Sequence, residues 1–255
     1  MAEAVILGSG TSTGVPLIGK TYPPEYLASP KNHRLRCALL LRGAQGNVLV
    51  DAGADIRQQL LRENVMDLAG VIITHTHADH VMGMDDLRAY CISSNQPLNV
   101  YTNLEYQQDI RRIFGYAFED FPAGIWVPRF ELQEMPEILN LAGFSIRSFW
   151  VDHGPWPVMG IRIDNFAYIT DVNRIPERVW PILEGLDDLV LDAVRYRPHP
   201  NHFHFDQAVE VAQRIGAKRT WLTHLSDDFD HDEVNQGLPA DIQLAFDGLT
   251  ISLAD

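Results

Sequence analysis

Hydrophobic positions along this chain follow two periods. Short β-prone runs alternate with stretches in which apolar residues recur every third or fourth position. The longer period predicts helices over Ala54 to Asn64, where Ile56, Leu60 and Leu61 share a side, and over Leu104 to Phe114. A third is predicted over Asp206 to Ile215, with Gly216 as its stop. Pro176, heading "PERVW", suits a first helical turn. Strands and helices alternating throughout predict α/β layering in a single domain spanning 1–255. Two stretches interrupt the pattern. Residues 14–34, rich in Pro and Gly, read as a loop, and 118–128 as a second break.

The residues that end the strand-like runs carry more information than the runs. "NVLV" hands over to Asp51, "GVIIT" to His75, "SIRSFWVD" to His153, "FAYIT" to Asp171, "DLVL" to Asp192 and "RTWLT" to His224. One polar residue after a strand is ordinary turn chemistry. Six in succession, all of types that bind metal, predict that the segments lie side by side with their ends on one rim, where α/β proteins place their sites.

Composition sets the background. A hydrophobic fraction of 46% and a charged fraction of 21% are those of a globular protein with a sizeable core. The net charge of −14 argues against a broad nucleic-acid surface. "MAEAVILGSG" lacks the basic region of a secretory signal, and no apolar run approaches the length of a membrane helix. Cys37 and Cys91 stand alone, with no CxxC spacing. The expectation is a cytoplasmic protein without a disulfide framework or membrane partner.

The chemistry concentrates in "THTHADH", Thr74 to His80. Crowded imidazoles repel one another once protonated, and a metal ion removes that conflict. On an extended segment His75 and His77 project to the same side and can share one ion. Asp79 and His80 point differently, toward a second. Imidazole and carboxylate suit Zn²⁺, Mn²⁺ or Fe²⁺. Four ligands are too few for two ions, and His153, Asp171 and His224 are the obvious remainder.

"HTHADH" with the later His153, Asp171 and His224 resembles the metallo-β-lactamase superfamily over nearly the whole chain. "LGSGTSTGVP", "DAG", "RPHPNHFHFD" and "LTHLSDDFD" resemble its PhnP-like branch. Those proteins are phosphodiesterases acting on phosphoribosyl cyclic phosphate and relatives of the tRNA 3′-processing nuclease RNase Z. The resemblance implies a four-layer αβ/βα sandwich with a dinuclear site on one edge. It implies that His75, His77 and His153 hold the first metal, that Asp79, His80 and His224 hold the second, and that Asp171 bridges them. Asp51 would orient a ligand imidazole through its other nitrogen. It also hints at a homodimer.

In one respect the chain departs from that branch. A cysteine-rich insertion that often holds a structural zinc is represented only by Cys37, with His33 as a distant helper. Two divalent ions, Zn²⁺ or Mn²⁺, and no separate structural zinc are therefore expected. The glycines of "GSGTSTG" fit neither nucleotide-cradling spacing and read as a tight turn that lets backbone approach the site.

The implied reaction is hydrolysis of a small phosphodiester by a water made acidic between the ions. Catalytic roles fall to Asp79, Asp51 and His202, the last as proton donor to the leaving oxygen in preference to His199 and His204. Arg195 and Arg197 can hold phosphate bidentately. Alternatives are a thioester or lactone hydrolase of the glyoxalase II type and a tRNA 3′-processing nuclease, although no basic arm is present to grip tRNA. A flavodiiron-type redox role is disfavoured by the intact His77, and a non-catalytic metal binder by the full ligand set.

Overall fold

The computed structural model describes residues 2–122 and 124–253. Its strands form two seven-stranded sheets. The first runs, edge to edge, through Thr250–Leu253, Ala2–Gly8, Ala38–Gly43, Gly46–Val50, Gly70–Ile72, Leu98–Thr102 and Phe130–Glu134. The second runs through Ile242–Leu244, Arg219–Thr223, Asp188–Asp192, Phe166–Ile169, Trp156–Ile163, Phe144–His153 and Ile138–Leu141.

The period-two alternation of these strands builds three layers of core. Leu39, Leu41, Val50 and Ile72 of the first sheet meet Ile146, Ile161, Tyr168 and Val190 of the second between the sheets. The intervening positions, Leu40, Leu49 and Val71, face outward onto Ile56, Leu60 and Ile110. On the far side Leu189, Leu191 and Leu222 pack on Ala208 and Ala212. Helices thus cover both outer faces, giving the αβ/βα sandwich. Strands buried on both faces read as apolar runs rather than alternations, which is the pattern of "AVILG" and "ALLL".

Helices occupy Ile56–Arg62, Leu104–Ile113 and Phe205–Ile215, inside or within a residue of the windows the sequence predicts. Asn103 caps the second by accepting from the Tyr106 amide at 2.7 Å. Gly216, at φ 70°, ends the third in a left-handed cap. Pro176 is a correction. It opens a hydrogen-bonded turn to Val179 rather than an α-helix, and the helical element nearby is a 3₁₀ turn at Trp180–Leu183. The 14–34 stretch is not pure loop either, since it contains a short helix at Pro24–Ala28 and a 3₁₀ turn at Pro30–Asn32. The 118–128 break holds no strand or helix beyond Phe118, and Ala123 within it lies outside the described residues.

Parallel pairing decides where the site lies. Gly46–Val50 pairs parallel with Gly70–Ile72, and Phe166–Ile169, Asp188–Asp192 and Arg219–Thr223 pair parallel with one another. Their C-terminal ends share a direction, so the residues that follow them collect on one rim. Among the described residues, no helix is long and apolar enough to cross a membrane.

Candidate metal centre

Three of the strand ends bend abruptly. Asp51, Asp171 and His224 adopt φ of 66°, 50° and 58°. Left-handed backbone is costly for residues with a side chain, least so for Asp, Asn and His. Persisting at three positions of one rim, it marks a place where the surrounding structure dictates the backbone.

The seven side chains singled out in the sequence converge there. The ligand atoms of His75, His77, His153 and Asp171 all lie within 4.8 Å of one another, as do those of Asp79, His80, Asp171 and His224. Asp171 belongs to both groups. Its Oδ2 faces His75 Nε2 at 3.7 Å and His153 Nε2 at 4.0 Å, while its Oδ1 faces His80 Nε2 at 3.3 Å and His224 Nε2 at 3.5 Å. Asp79 completes the second group, 3.3 Å from His80 Nε2 and 3.5 Å from His224 Nε2.

The donors fit a pair of divalent ions. His80 Nε2 and His224 Nε2 are buried without any hydrogen-bond partner, a costly state that a metal would relieve. His75 Nε2 and His77 Nδ1 lie 3.0 Å apart. That is close to the roughly 3.3 Å edge of a tetrahedron built on metal–nitrogen bonds of about 2.0–2.1 Å.

Buried carboxylates fix which ring nitrogen faces inward. Asp51, fully buried, accepts from the Thr74 amide at 2.8 Å and from His80 Nδ1 at 2.7 Å. The Thr74 hydroxyl lies 2.9 Å from Asp51 Oδ2 and 3.1 Å from His75 Nδ1. With one proton to give, that hydroxyl donates to the carboxylate and accepts from the ring. Asp51 thereby holds His80 directly and His75 through Thr74, one histidine of each group. His153 Nδ1 is held in the same way by the Asn201 carbonyl at 2.7 Å.

Electrostatics differ between the two groups. Burial, aided by neighbouring histidines, holds His75 well below the usual imidazole range, and burial pushes His153 down to about 4. Burial works the same way on His80 and His224, but carboxylates outweigh it. Asp171, Asp51 and Asp79 raise His80 well above its ordinary value, and Asp171 with Asp79 and Asp192 raises His224 to about 9. Asp171 and Asp79 are held low because the facing histidines overcome the cost of burying them. The second group thus presents acidic oxygens and proton-holding rings, which a cation would replace.

Of the three histidines in "RPHPNHFHFD", the structure aims one at the centre. His202 Nε2 lies 4.0 Å from Asp171 Oδ2, and His202 Nδ1 is 2.8 Å from Asp192 Oδ2. His199 packs on the His202 ring at 4.8 Å, whereas His204 turns to Gln207 at the start of its helix. Arg195 is spent on its own loop, donating to the carbonyls of Arg197 and Pro198. Arg197 is exposed. Cys37 is buried with its thiol 3.5 Å from the Thr223 hydroxyl, and His33 is bonded to the Leu27 carbonyl.

Two features have no role in the sequence reading, and a third, the opening glycine turn, makes its approach at a different place from the one expected. Asp192, noted there only as a strand end, holds His202 and also accepts the Val172 amide at 3.0 Å. Thr76, between two candidate ligands, donates to Asp109 at 2.8 Å and ties the histidine loop to the helix Leu104–Ile113. Gly8 and Gly10 bring the opening turn against the backbone of residues 34–36, where an added Cβ would lie 2.0 Å and 2.7 Å from carbonyl oxygens. The same turn brackets Leu225, next to His224, through the Thr11 amide and the Ser9 carbonyl. The approach is to the chain after a candidate ligand, not to the ligands themselves.

Residues 46–225, more than half of the chain, match the family model for the beta-lactamase superfamily domain. A crystal structure described as a new diphosphatase from the PhnP family superposes with a TM-score of 0.91 at 35% identity, covering 100% of this chain and 98% of that one. The chain belongs to the PhnP-like branch of the metallo-β-lactamase superfamily. As a member it has the metallo-β-lactamase fold. An octanoyltransferase of Porphyromonas gingivalis is 33% identical over 252 residues, 97% of this chain. A ribonuclease Z of Treponema denticola is 26% identical, over 76% of this chain. The chain spans only 51% and 64% of those two proteins. Half of the transferase thus lies outside the match.

Proposed function

We propose that this PhnP-like protein is a dinuclear phosphodiesterase acting on a small cyclic phosphate or nucleotide-like phosphodiester. The observation that supports it most directly is Asp171, shared by two four-ligand groups, with His202 Nε2 facing the same carboxylate at 4.0 Å. His75, His77 and His153 would hold one ion and Asp79, His80 and His224 the other, with Asp171 common to both. Zn²⁺ and Mn²⁺ both suit this donor set. Such ions, when bound, would supply a water acidified toward neutral pH and counter-charge for phosphoryl oxygens.

The chain's own residues do the rest. Asp51, through Thr74 and His80, keeps lone pairs rather than protons directed inward. His202 gives a proton from Nε2 to the leaving oxygen while its Nδ1–H keeps donating to Asp192. Burial of all seven ligands except the half-buried His77 excludes bulk water from the reacting side.

A protein with these properties would be cytoplasmic and without a separate structural zinc, with a small phosphodiester rather than nucleic acid or membrane as partner. A homodimer is consistent with the branch. The acidic run after His224, "SDDFDHDE", favours a small substrate over tRNA, whose phosphates it would repel. The name of the solved neighbour puts a diphosphate in the same chemical class, since attack at phosphorus is common to both.

The test is a parallel assay of metal-loaded protein on a five-membered cyclic phosphate, bis-p-nitrophenyl phosphate, a nucleoside diphosphate ester, a thioester and a precursor tRNA. Turnover of the phosphodiesters well above the others is expected. A preference for the thioester would place the chain with glyoxalase II-type hydrolases instead.

A further inference from the structure

Trp156 is the exposed aromatic of the described residues whose ring meets the candidate ligands. Its centroid lies 5.1 Å from that of His77 at 74° and 6.2 Å from that of His153 at 40°. Neither contact is a parallel stack, so neither histidine covers the indole face to face. The residue remains 43% exposed, beside two rings that serve the centre. An indole left open to water at the lip of a polar site forgoes burial that a core position would give it.

The segment carrying it is held from several directions. Trp156 pairs with His153 across the hairpin, the Gly154 amide donates to Asn173 Oδ1 at 2.9 Å, and Tyr106 donates to the Pro157 carbonyl at 2.6 Å. Three residues on, the Met159 amide donates to the Thr74 carbonyl at 3.2 Å, next to His75. The ring is therefore presented on fixed backbone at a set distance from the centre, as a recognition surface requires.

His153 orders the rim. Its ring contacts Trp156 on one side and His202, at 4.4 Å, on another. His153 thus links the indole to His202, and a substrate reacting beside His202 has the indole one ring away. We infer that Trp156 is a stacking platform that selects phosphodiesters bearing a flat ring, such as a nucleobase, over purely aliphatic ones. This rests on the phosphodiesterase reading above and names the substrate class within it. Aromatic stacking tolerates any base, because every base has a π-face. A preference for the ring as such, with little discrimination among bases, follows.

The experiment compares two cyclic phosphates of the same ring size, one on adenosine and one on glycerol, with metal-loaded wild type, Trp156→Leu and Trp156→Phe. Trp156→Leu keeps an apolar cover over His77 but has no π-face. It is expected to raise KM for the adenosine compound about tenfold, with a much smaller change for the glycerol compound and unchanged metal content. Trp156→Phe is expected to recover most of the loss. Equal changes on both substrates would overturn the inference and leave Trp156 as a structural cover for the histidines. A second arm needs no variant. Adenosine monophosphate is expected to bind metal-loaded wild type by calorimetry about tenfold more tightly than glycerol phosphate, and equal affinities would likewise refute the platform. Wild type that hydrolyses neither the cyclic phosphates nor bis-p-nitrophenyl phosphate refutes the phosphodiesterase itself, while the calorimetry still reads the platform on its own.

Discussion

Replacing Asp51 with Asn isolates one carboxylate charge at the base of the centre. Asn tolerates left-handed backbone as Asp does, so the φ of 66° adds no strain of its own. The side chain keeps its shape. What changes is that an acceptor-only group gains an NH₂. Three donors point at Asp51: the Thr74 amide at 2.8 Å, the Thr74 hydroxyl at 2.9 Å and His80 Nδ1 at 2.7 Å. If the NH₂ takes the Oδ1 position, it confronts a buried backbone N–H that cannot move. If it takes the Oδ2 position, His80 must turn its proton to Nε2, the nitrogen that faces Asp171 and Asp79. Either arrangement forfeits a hydrogen bond to a charged group, worth about 1.5–3 kcal/mol. Second-layer partners of metal-binding histidines typically contribute roughly 10- to 100-fold in affinity, or ~1.4–2.8 kcal/mol. The two figures agree. Competition against a chromophoric chelator should show the ion on the His80 side weakened by that factor. The His75 side, reached only through Thr74, should weaken less, and circular dichroism should report a folded protein. Unchanged affinity for both ions would refute the reasoning that Asp51 sets the tautomers.

Three further outcomes follow from the same geometry. His202→Ala should lower kcat more than about tenfold with both ions retained, and Asp192→Asn should lower it by less. An unchanged rate in His202→Ala removes that ring from the reaction. Gly53→Ala would set a Cβ 1.9 Å from the Asp79 carbonyl oxygen, a backbone atom. The displacement should cost about 2 kcal/mol or more and lower Tm by roughly 4–8 °C, and a melting curve matching wild type would contradict it. Burial, with Lys31 and Arg34 nearby, pushes His231 down to about 4 from an unfolded value of about 6.5. Because the folded value is depressed, its stabilising contribution is present above about pH 6.5 and lost as pH falls toward about 4. The Tm lost on acidification should therefore shrink in His231→Phe, and identical losses in the two proteins would exclude this cause.

Much of this centre was legible from one regularity. Strands ending in Asp51, His75, Asp171, Asp192 and His224 announce a rim because parallel pairing gives them a common direction, the strand ending in His153 joins them through two antiparallel steps, and period-two burial keeps their registers fixed. The helices were legible from apolar spacing, which packing against a sheet face enforces. Side-chain partnerships were not. Asp192 stood among the strand ends, but only the tertiary meeting of residues 192 and 202 shows that it holds His202. The Thr76–Asp109 tie joins a loop to a helix far along the chain, and spacing carries no record of it. Pro176 misled because Pro suits the first position of a turn as well as of a helix. The left-handed backbone of His224 has no local signal at all. It is imposed by Leu225, bonded through both its amide and carbonyl to Ser9 and Thr11 on a distant segment.

On this proposal the two ligand groups that share Asp171 would each hold an ion, and hydrolysis would depend on both. Titrating metal-stripped protein with Zn²⁺ or Mn²⁺ while following phosphodiester turnover tests it most directly. No turnover at the start and a plateau at two ions per chain are expected. Full activity in the stripped protein, or a plateau at one ion, would contradict it.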